Sequence, residues 1–314
     1  GCGVIDCNDG NASVFPPTEQ LTISSDILFC NGTYDLFAAA IIDMSSNTKL
    51  ECNNTIIIGN QSAAGIEVHA GVNNISILGC EFTNYSVGIN LTSFNNSNIS
   101  DNYIRNMTKN GIEIKIHAYN DTFYNNTFEE IGNIAITASN VHSGNQFLDN
   151  TFVDITQQSI RLYNLTTGNI VANNNLSTSS GDIVVIFTNN TNITNNTLLG
   201  SSINITNATN SSILDNSIDN GAIIDNGDSE DSLYVDNSVA GSGGISIISI
   251  NSNRANVTDN FVSNGGTYGI YINGSSCIIK SNDLMSYIYL YGASDSNITA
   301  NNLSIDSGYA IRLK

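Results

Sequence analysis

Two glutamates occupy the same place in two matching tetrapeptides, Gly65-Ile66-Glu67-Val68 and Gly111-Ile112-Glu113-Ile114. Paired carboxylates are the usual acid and base for cleaving a glycosidic bond: one protonates the leaving oxygen while the other activates water. A third copy, Gly88-Ile89-Asn90-Leu91, lies between them. Stacked as neighbouring strands, the three copies would separate the glutamates by about 9–10 Å, a spacing compatible with an inverting mechanism. With alternate residues outward, the exposed pairs are Glu67 and His69, Asn90 and Thr92, Glu113 and Lys115, Ala135 and Thr137, and Arg161 and Tyr163. Lys115 or Arg161 would serve a lyase, which has to neutralise a uronate carboxylate. The plainer reading is that outward residues of this kind are solvated surface.

Three other groups have chemical character. Asp225, Asp228, Glu230 and Asp231 crowd a segment that interrupts the repeat, and Asp6, Asn8 and Asp9 form a second oxygen-rich patch. Calcium takes six to eight such oxygens, although neither spacing matches a known calcium loop and a solvated acidic loop is the alternative. No other cofactor is suggested. Tyrosines gather late, with Tyr271 and Tyr289 expected in one outward column and Tyr291 beside them. They suit a protein contact or a sugar ring, or simply cross-strand packing.

Cys2, Cys7, Cys30, Cys52 and Cys80 fall in the first quarter, and Cys277 stands alone near the other end. Disulfides are the default for such a chain. Cys30, Cys52 and Cys80 lie about one repeat apart, where Cα separations suit a bridge. Cys277 is either a buried thiol or paired with another molecule.

The elements that position these groups follow from an asparagine that recurs roughly every 22 residues, two places before a large apolar residue. The series runs Asn102/Ile104, Asn126/Phe128, Asn150/Phe152, Asn174/Leu176, Asn196/Leu198, Asn216/Ile218, Asn237/Val239, Asn260/Val262, Asn282/Leu284 and Asn301/Leu303, and Cys80/Phe82 fits the same template. Between these asparagines lie short strands opened by a small residue, with period-2 alternation. At a sharp turn the Asn amide can donate to and accept from its counterpart one repeat away, and the apolar residue at +2 stacks on its own, Phe128 on Phe152. The expected fold is all-β: a single-stranded right-handed parallel β-helix of about twelve rungs over residues 26–314. Residues 1–25 form an N-terminal segment for capping or assembly.

The glycine-opened strands and the asparagine ladder resemble the right-handed, pectate-lyase-like parallel β-helices. The segments Ser25-Asp26-Ile27-Leu28-Phe29-Cys30 and Lys49-Leu50-Glu51-Cys52-Asn53-Asn54-Thr55-Ile56-Ile57-Ile58-Gly59 are similar to secreted archaeal and bacterial members of the carbohydrate-binding and sugar-hydrolase group. That resemblance implies a fold and leaves lyases, hydrolases, epimerases, adhesins and surface-layer proteins all open. It also implies that catalysis would sit on the outer face of one sheet. Asp clusters with a Gly-His-Gly neighbour, usual for the hydrolases of the group, are missing from this sequence.

Composition sets the compartment. Asparagine is about one residue in six, and 40% hydrophobic residues are enough for a packed core. A net charge of −19 with nine basic residues excludes nucleic acid as a partner. No apolar run is long enough to span a membrane. About two dozen Asn-x-Ser/Thr sequons include Asn31, Asn74, Asn90, Asn98, Asn120, Asn164, Asn192, Asn207, Asn256, Asn273 and Asn297, and none of the ten ladder asparagines is among them. Start at Gly1 is consistent with a removed signal peptide. A secreted, N-glycosylated extracellular or cell-surface protein is expected. The sequence stops within the strand Ala310–Leu313, and the edge carrying Ile311 and Leu313 would be covered by the next copy, giving a head-to-tail homopolymer. The leading expectation is therefore a non-enzymatic filament, sheath or surface-layer protein; the alternative is a polysaccharide-active enzyme or carbohydrate-binding adhesin.

Overall fold

The computed structural model describes residues 14–18, 20–37, 41–69, 71–164, 167–177, 181–241, 246–263, 268–305 and 310–314. Its contacts divide the chain into two compact units, Gly1–Ser159 and Ile160–Lys314, where the repeat suggested one body from residue 26. The described part of the expected N-terminal segment is already built into sheets, since Val14 pairs with Leu28 and Leu21 with Ile41.

Within each unit the repeat folds into three parallel sheets, each strand pairing with its counterpart one repeat away. The first sheet of unit 1 runs through Lys49–Cys52, Ser76–Leu78, Asn98–Ser100, Thr122–Tyr124 and Gln146–Leu148. The second carries Glu81–Thr83, Tyr103–Met107, Thr127–Ile131 and Thr151–Ile155. The third has longer strands, Ala64–Val68, Val87–Asn95, Ile112–Tyr119 and Ile134–Ser139. Unit 2 repeats the scheme, with third-sheet strands Asp182–Ile186, Ile203–Thr206, Ile223–Glu230, Ser246–Asn253, Tyr268–Asn273 and Ile288–Tyr291. This is the parallel β-helix that the spacing predicts.

The core follows from the alternation. Ile77, Ile99, Phe123 and Phe147 point inward from the first sheet, Phe82, Ile104, Phe128 and Phe152 from the second, and Ile89, Leu91, Ile112 and Ile114 from the third, all essentially without exposure. Phe128 stacks on Phe152 with centroids 5.2 Å apart, and Phe123 on Phe147 at 5.0 Å. The small residue opening each third-sheet strand is dictated by close approach: a Cβ at Gly65, Gly88 or Gly111 would lie within 2.8 Å of the carbonyl oxygen of the next strand.

The ladder forms as read. In unit 1, Asn102 Nδ2 donates to Asn126 Oδ1 at 2.9 Å and Asn126 Nδ2 to Asn150 Oδ1 at 3.1 Å. In unit 2 it runs unbroken from Asn174 to Asn301. Cys80 holds the same position, its N–H donating to Asn102 Oδ1, and it is disulfide-bonded to Cys52 with Cα atoms 4.7 Å apart. Cys30 is also in a disulfide, while Cys2 and Cys7 lie outside the described residues.

A second interior column, not anticipated from the sequence, lines the turn into the first sheet. Ser97 N–H donates to Asp121 Oδ1 and Asp121 N–H to Asn145 Oδ1. In unit 2, backbone pairing aligns Thr191, Ser211, Ser232, Ala255, Cys277 and Ser296 in this column. That placement accounts for Cys277: it is a free thiol, 1% exposed, filling a slot that its neighbours fill with serine or alanine. Burial pushes its pKa up.

Candidate functional site

The third sheet of unit 1 presents an outward column in which Glu67 pairs with Asn90, Asn90 with Glu113, and Glu113 with Thr137. The register corrects one expectation: Thr137, not Ala135, continues the glutamate column. Ala135 is fully buried and takes the place of the strand-opening glycine, its carbonyl lying against Gly111.

Over this column lies an open groove of about 480 Å³, bordered by Glu67, Asn90, Lys109, Asn110, Glu113 and Lys115 with smaller residues between them. Asn90 is its floor, only 6% exposed. The Asn90 amide donates to Glu67 Oε1 at 3.2 Å, and its Oδ1 is buried with no hydrogen bond within the protein. Lys115 Nζ stands 3.9 Å from Glu113 Oε2. The structure thus brings Glu67, Glu113 and Lys115 together, and adds Asn90 and Lys109. Lys109 escaped the sequence reading because it sits in a turn, where period-2 alternation says nothing about direction. Arg161 belongs to unit 2, where its guanidinium lies over the Tyr163 ring.

The acidic segment does not form the calcium cluster that its composition suggested. It is part of the strand Ile223–Glu230, and Asp225 takes an inward place paired with Ile205 and Ile250. There, fully buried, its carboxylate accepts from Tyr234 Oη and Ser229 Oγ, both at 2.7 Å. Desolvation pushes its pKa up to about 6 against the lowering effect of those two bonds. Glu230 and Asp231 are engaged by Arg254 on the surface. Asp228 donates its backbone N–H to Asn207 Oδ1. With one carboxylate inside and two held by a guanidinium, the oxygens do not converge. Among the described residues no group of three acidic, His or Cys side chains is arranged to hold a metal ion. Asp6, Asn8 and Asp9 lie outside those residues.

Asp121, in the second interior column, is more strongly perturbed. It is fully buried, Oδ2 makes no hydrogen bond, and desolvation raises the carboxyl to about 8.

The late tyrosines pack on one another. Tyr271 and Tyr289 pair across adjacent strands with rings 5.5 Å apart, and Tyr268 stacks on Tyr289 at 4.7 Å. Tyr289 is left 8% exposed, with Arg312 over its ring. Tyr291, Ile311 and Leu313 are exposed.

The sequon asparagines Asn31, Asn74, Asn120, Asn164, Asn273 and Asn297 are exposed, and Asn98, Asn192, Asn207 and Asn256 half-buried. Asn90 alone of the eleven is buried, its amide already bonded to Glu67.

The family model for a right handed beta helix region matches residues 20–176, half of the chain. The chain belongs to that family. None of the curated proteins matches this β-helix in sequence. Among solved structures it is similar to a PL6 alginate lyase in complex with a trisaccharide, at TM-score 0.60 and 11% identity over 93% of this chain and 82% of the lyase. The catalytic unit of a thermostable GH87 alpha-1,3-glucanase from Streptomyces thermodiastaticus strain HF3-3 gives TM-score 0.53 and 14% identity over 95% of this chain. The β-helix spans only 63% of that glucanase unit. Another alginate lyase, in complex with G6, gives TM-score 0.52 at 10% identity, covering 92% and 82% of the two chains. These likenesses establish a shared fold.

Proposed function

We propose that this β-helix is a secreted, N-glycosylated carbohydrate-binding protein that grips a saccharide chain in the groove over Glu67, Asn90 and Glu113. The observation that carries this reading is the polar lining of the groove, where Glu67, Asn90, Lys109, Asn110, Glu113 and Lys115 border one open trough. The carboxylates accept sugar hydroxyl protons, and Lys109 and Lys115 donate to ring or hydroxyl oxygens. An open, polar trough suits a polyhydroxylated chain better than an apolar small molecule, whose sites are enclosed and apolar. A net charge of −19 favours a neutral glycan over a polyuronate. The similar solved structures are a glucanase and alginate lyases, which sets the panel to be tested.

Calorimetric titration of an alpha-1,3-glucan, an alginate and other soluble polysaccharides tests the reading. We expect a neutral glucan to bind more tightly than alginate. Glu67→Gln, Glu113→Gln and Asn90→Ala should each weaken binding by about tenfold, the effect of losing one hydrogen bond to a charged or buried group. A wild-type chain that binds none of the panel refutes the proposal. New reducing ends, absent in the glutamine variants, would extend binding to an acid/base cleavage by the same pair.

Assembly with further copies of the chain is the second reading. It is favoured by exposed apolar surface on unit 2, where Leu233 and Ile278, 39% and 43% exposed, point outward from the first sheet two strands apart.

A further inference from the structure

One aromatic side chain of unit 2 occupies a place that backbone chemistry disfavours. Phe187 follows the strand Asp182–Ile186 and adopts φ 52°, the left-handed region. The backbone ladder aligns it with Asn164, just after one neighbouring strand, and Asn207, just after the other, since Asn164 N–H donates to Ile186 O and Phe187 N–H to Thr206 O. Both asparagines have the same conformation, with φ 54° and 51°. Asparagine tolerates this conformation because its short side chain bonds locally; a phenylalanine gains nothing from it. An outlier of this kind points to a role for the side chain.

Phe187 is not there to fill the core. It is 48% exposed, and its ring meets Tyr163 edge-on at 6.1 Å, with Arg161 over the Tyr163 face at 5.5 Å. Both neighbours in its column are acceptors of sequons, Asn164-Leu165-Thr166 and Asn207-Ala208-Thr209. They are not equivalent. The Asn207 side-chain Oδ1 accepts from Asp228 N–H and Asn207 is half-buried, whereas Asn164 is exposed.

We propose that Phe187 is a stacking platform for the first sugar of an N-linked glycan on Asn164. Adjacent parallel rungs stand about 4.8 Å apart, and Asn164 and Phe187, aligned by the ladder, share the same left-handed backbone, so their side chains leave in the same direction. A pyranose attached at the Asn164 amide would therefore rise beside the exposed ring, where its C–H face meets the aromatic face. Tyr163 extends the apolar surface on one side. This inference rests on the reading of the chain as a secreted glycoprotein.

The test is a double-mutant cycle on the full chain secreted from an N-glycosylating host. Phe187→Ala removes the platform; Thr166→Ala removes the acceptor sequence while leaving Asn164 in place. Glycopeptide mass spectrometry reads site occupancy, and melting temperature reads the coupling between the two changes. We expect Asn164 to be occupied, and Thr166→Ala to lower the melting temperature by about 2–4 °C with Phe187 present and by much less in Phe187→Ala. An equal drop in both backgrounds overturns the stacking. Asn164 bare while Asn31 or Asn297 carries glycan also overturns it, but leaves the glycoprotein reading intact. No glycan at any sequon overturns both.

Discussion

Asp121 shows how a single atom can set the pH response of an amide-lined column. At the equivalent place one repeat on, Asn145 Nδ2 donates to Ala118 O at 3.0 Å. Ala118 pairs with Phe94, so an amide at position 121 would reach the Phe94 carbonyl. The aspartate has no such donor unless protonated, and burial raises it to about 8. A folded-state pKa above the unfolded value of 3.8 means that the native state holds the proton more tightly. The stabilisation is complete below about pH 4 and is lost as pH rises towards 8, at up to about 1.4 kcal/mol per unit. Asp121→Asn supplies a permanent donor. It should stabilise the chain by about 2 kcal/mol at pH 8, do little at pH 4, and flatten a plot of urea midpoint against pH. An unchanged slope would show that Asp121 is ionised in the folded state. Asp225 has the same sign over a narrower window, from about 4 to about 6, because Tyr234 and Ser229 bond its ionised form.

At the scale of the element, the ladder asparagine is a cross-brace between turns. Asn237 receives the N–H and the Nδ2–H of Asn216 on its Oδ1 and donates Nδ2–H to Asn260 Oδ1, Ile213 O and Val235 O. Asn237→Ala therefore strands polar groups on both neighbouring strands, and Asn237→Asp replaces a donor with an acceptor that faces carbonyls. Leaving several buried groups unpaired should cost about 3 kcal/mol, measured as a fall in urea midpoint, with aspartate at least as damaging as alanine near neutral pH. Substitution of the exposed Asn226, away from the ladder and in ordinary strand conformation, should stay within about 0.5 kcal/mol. Similar losses at both positions would show that the column is dispensable. The glycine-opened strands have a parallel logic, in which adjacent backbones are too close for a side chain.

For the molecule as a whole, charge would oppose the proposed assembly. With 28 acidic and 9 basic residues, every copy repels every other, and the repulsion is screened by salt. Assembly through apolar surface such as Leu233 and Ile278 should therefore be stronger at about 0.5 M salt than at about 0.01 M, and diminish on dilution. Sedimentation velocity across both variables checks this. A monomer under all conditions, in the presence and absence of reductant, removes the second reading and leaves the saccharide groove.

Much of this architecture is legible from one chain because a β-helix is nearly one-dimensional: each repeat meets only its neighbours, so sequence period becomes spatial period. That logic carries Asn102 through Asn301, the Phe128–Phe152 step and the Glu67–Asn90–Glu113 column from spacing to structure. It fails where alternation slips or the backbone leaves the strand. Ala135 imitates an outward residue while filling a glycine slot, and Asp225 imitates a loop carboxylate while standing in a core column. Cys277 looked stranded until the turn column gave it Ser232, Ala255 and Ser296 as counterparts. Lys109 and Phe187 lie in turns, whose direction is set by φ and by the neighbouring strand. The residues alone determined the period, the alternating strands of each rung and the amide brace, because these depend on local patterning; that each rung has three sheets was decided by the fold. Which carboxylates face solvent, which are buried, and which ring stands beside a sequon asparagine were decided by register, which exists only once neighbouring repeats have paired.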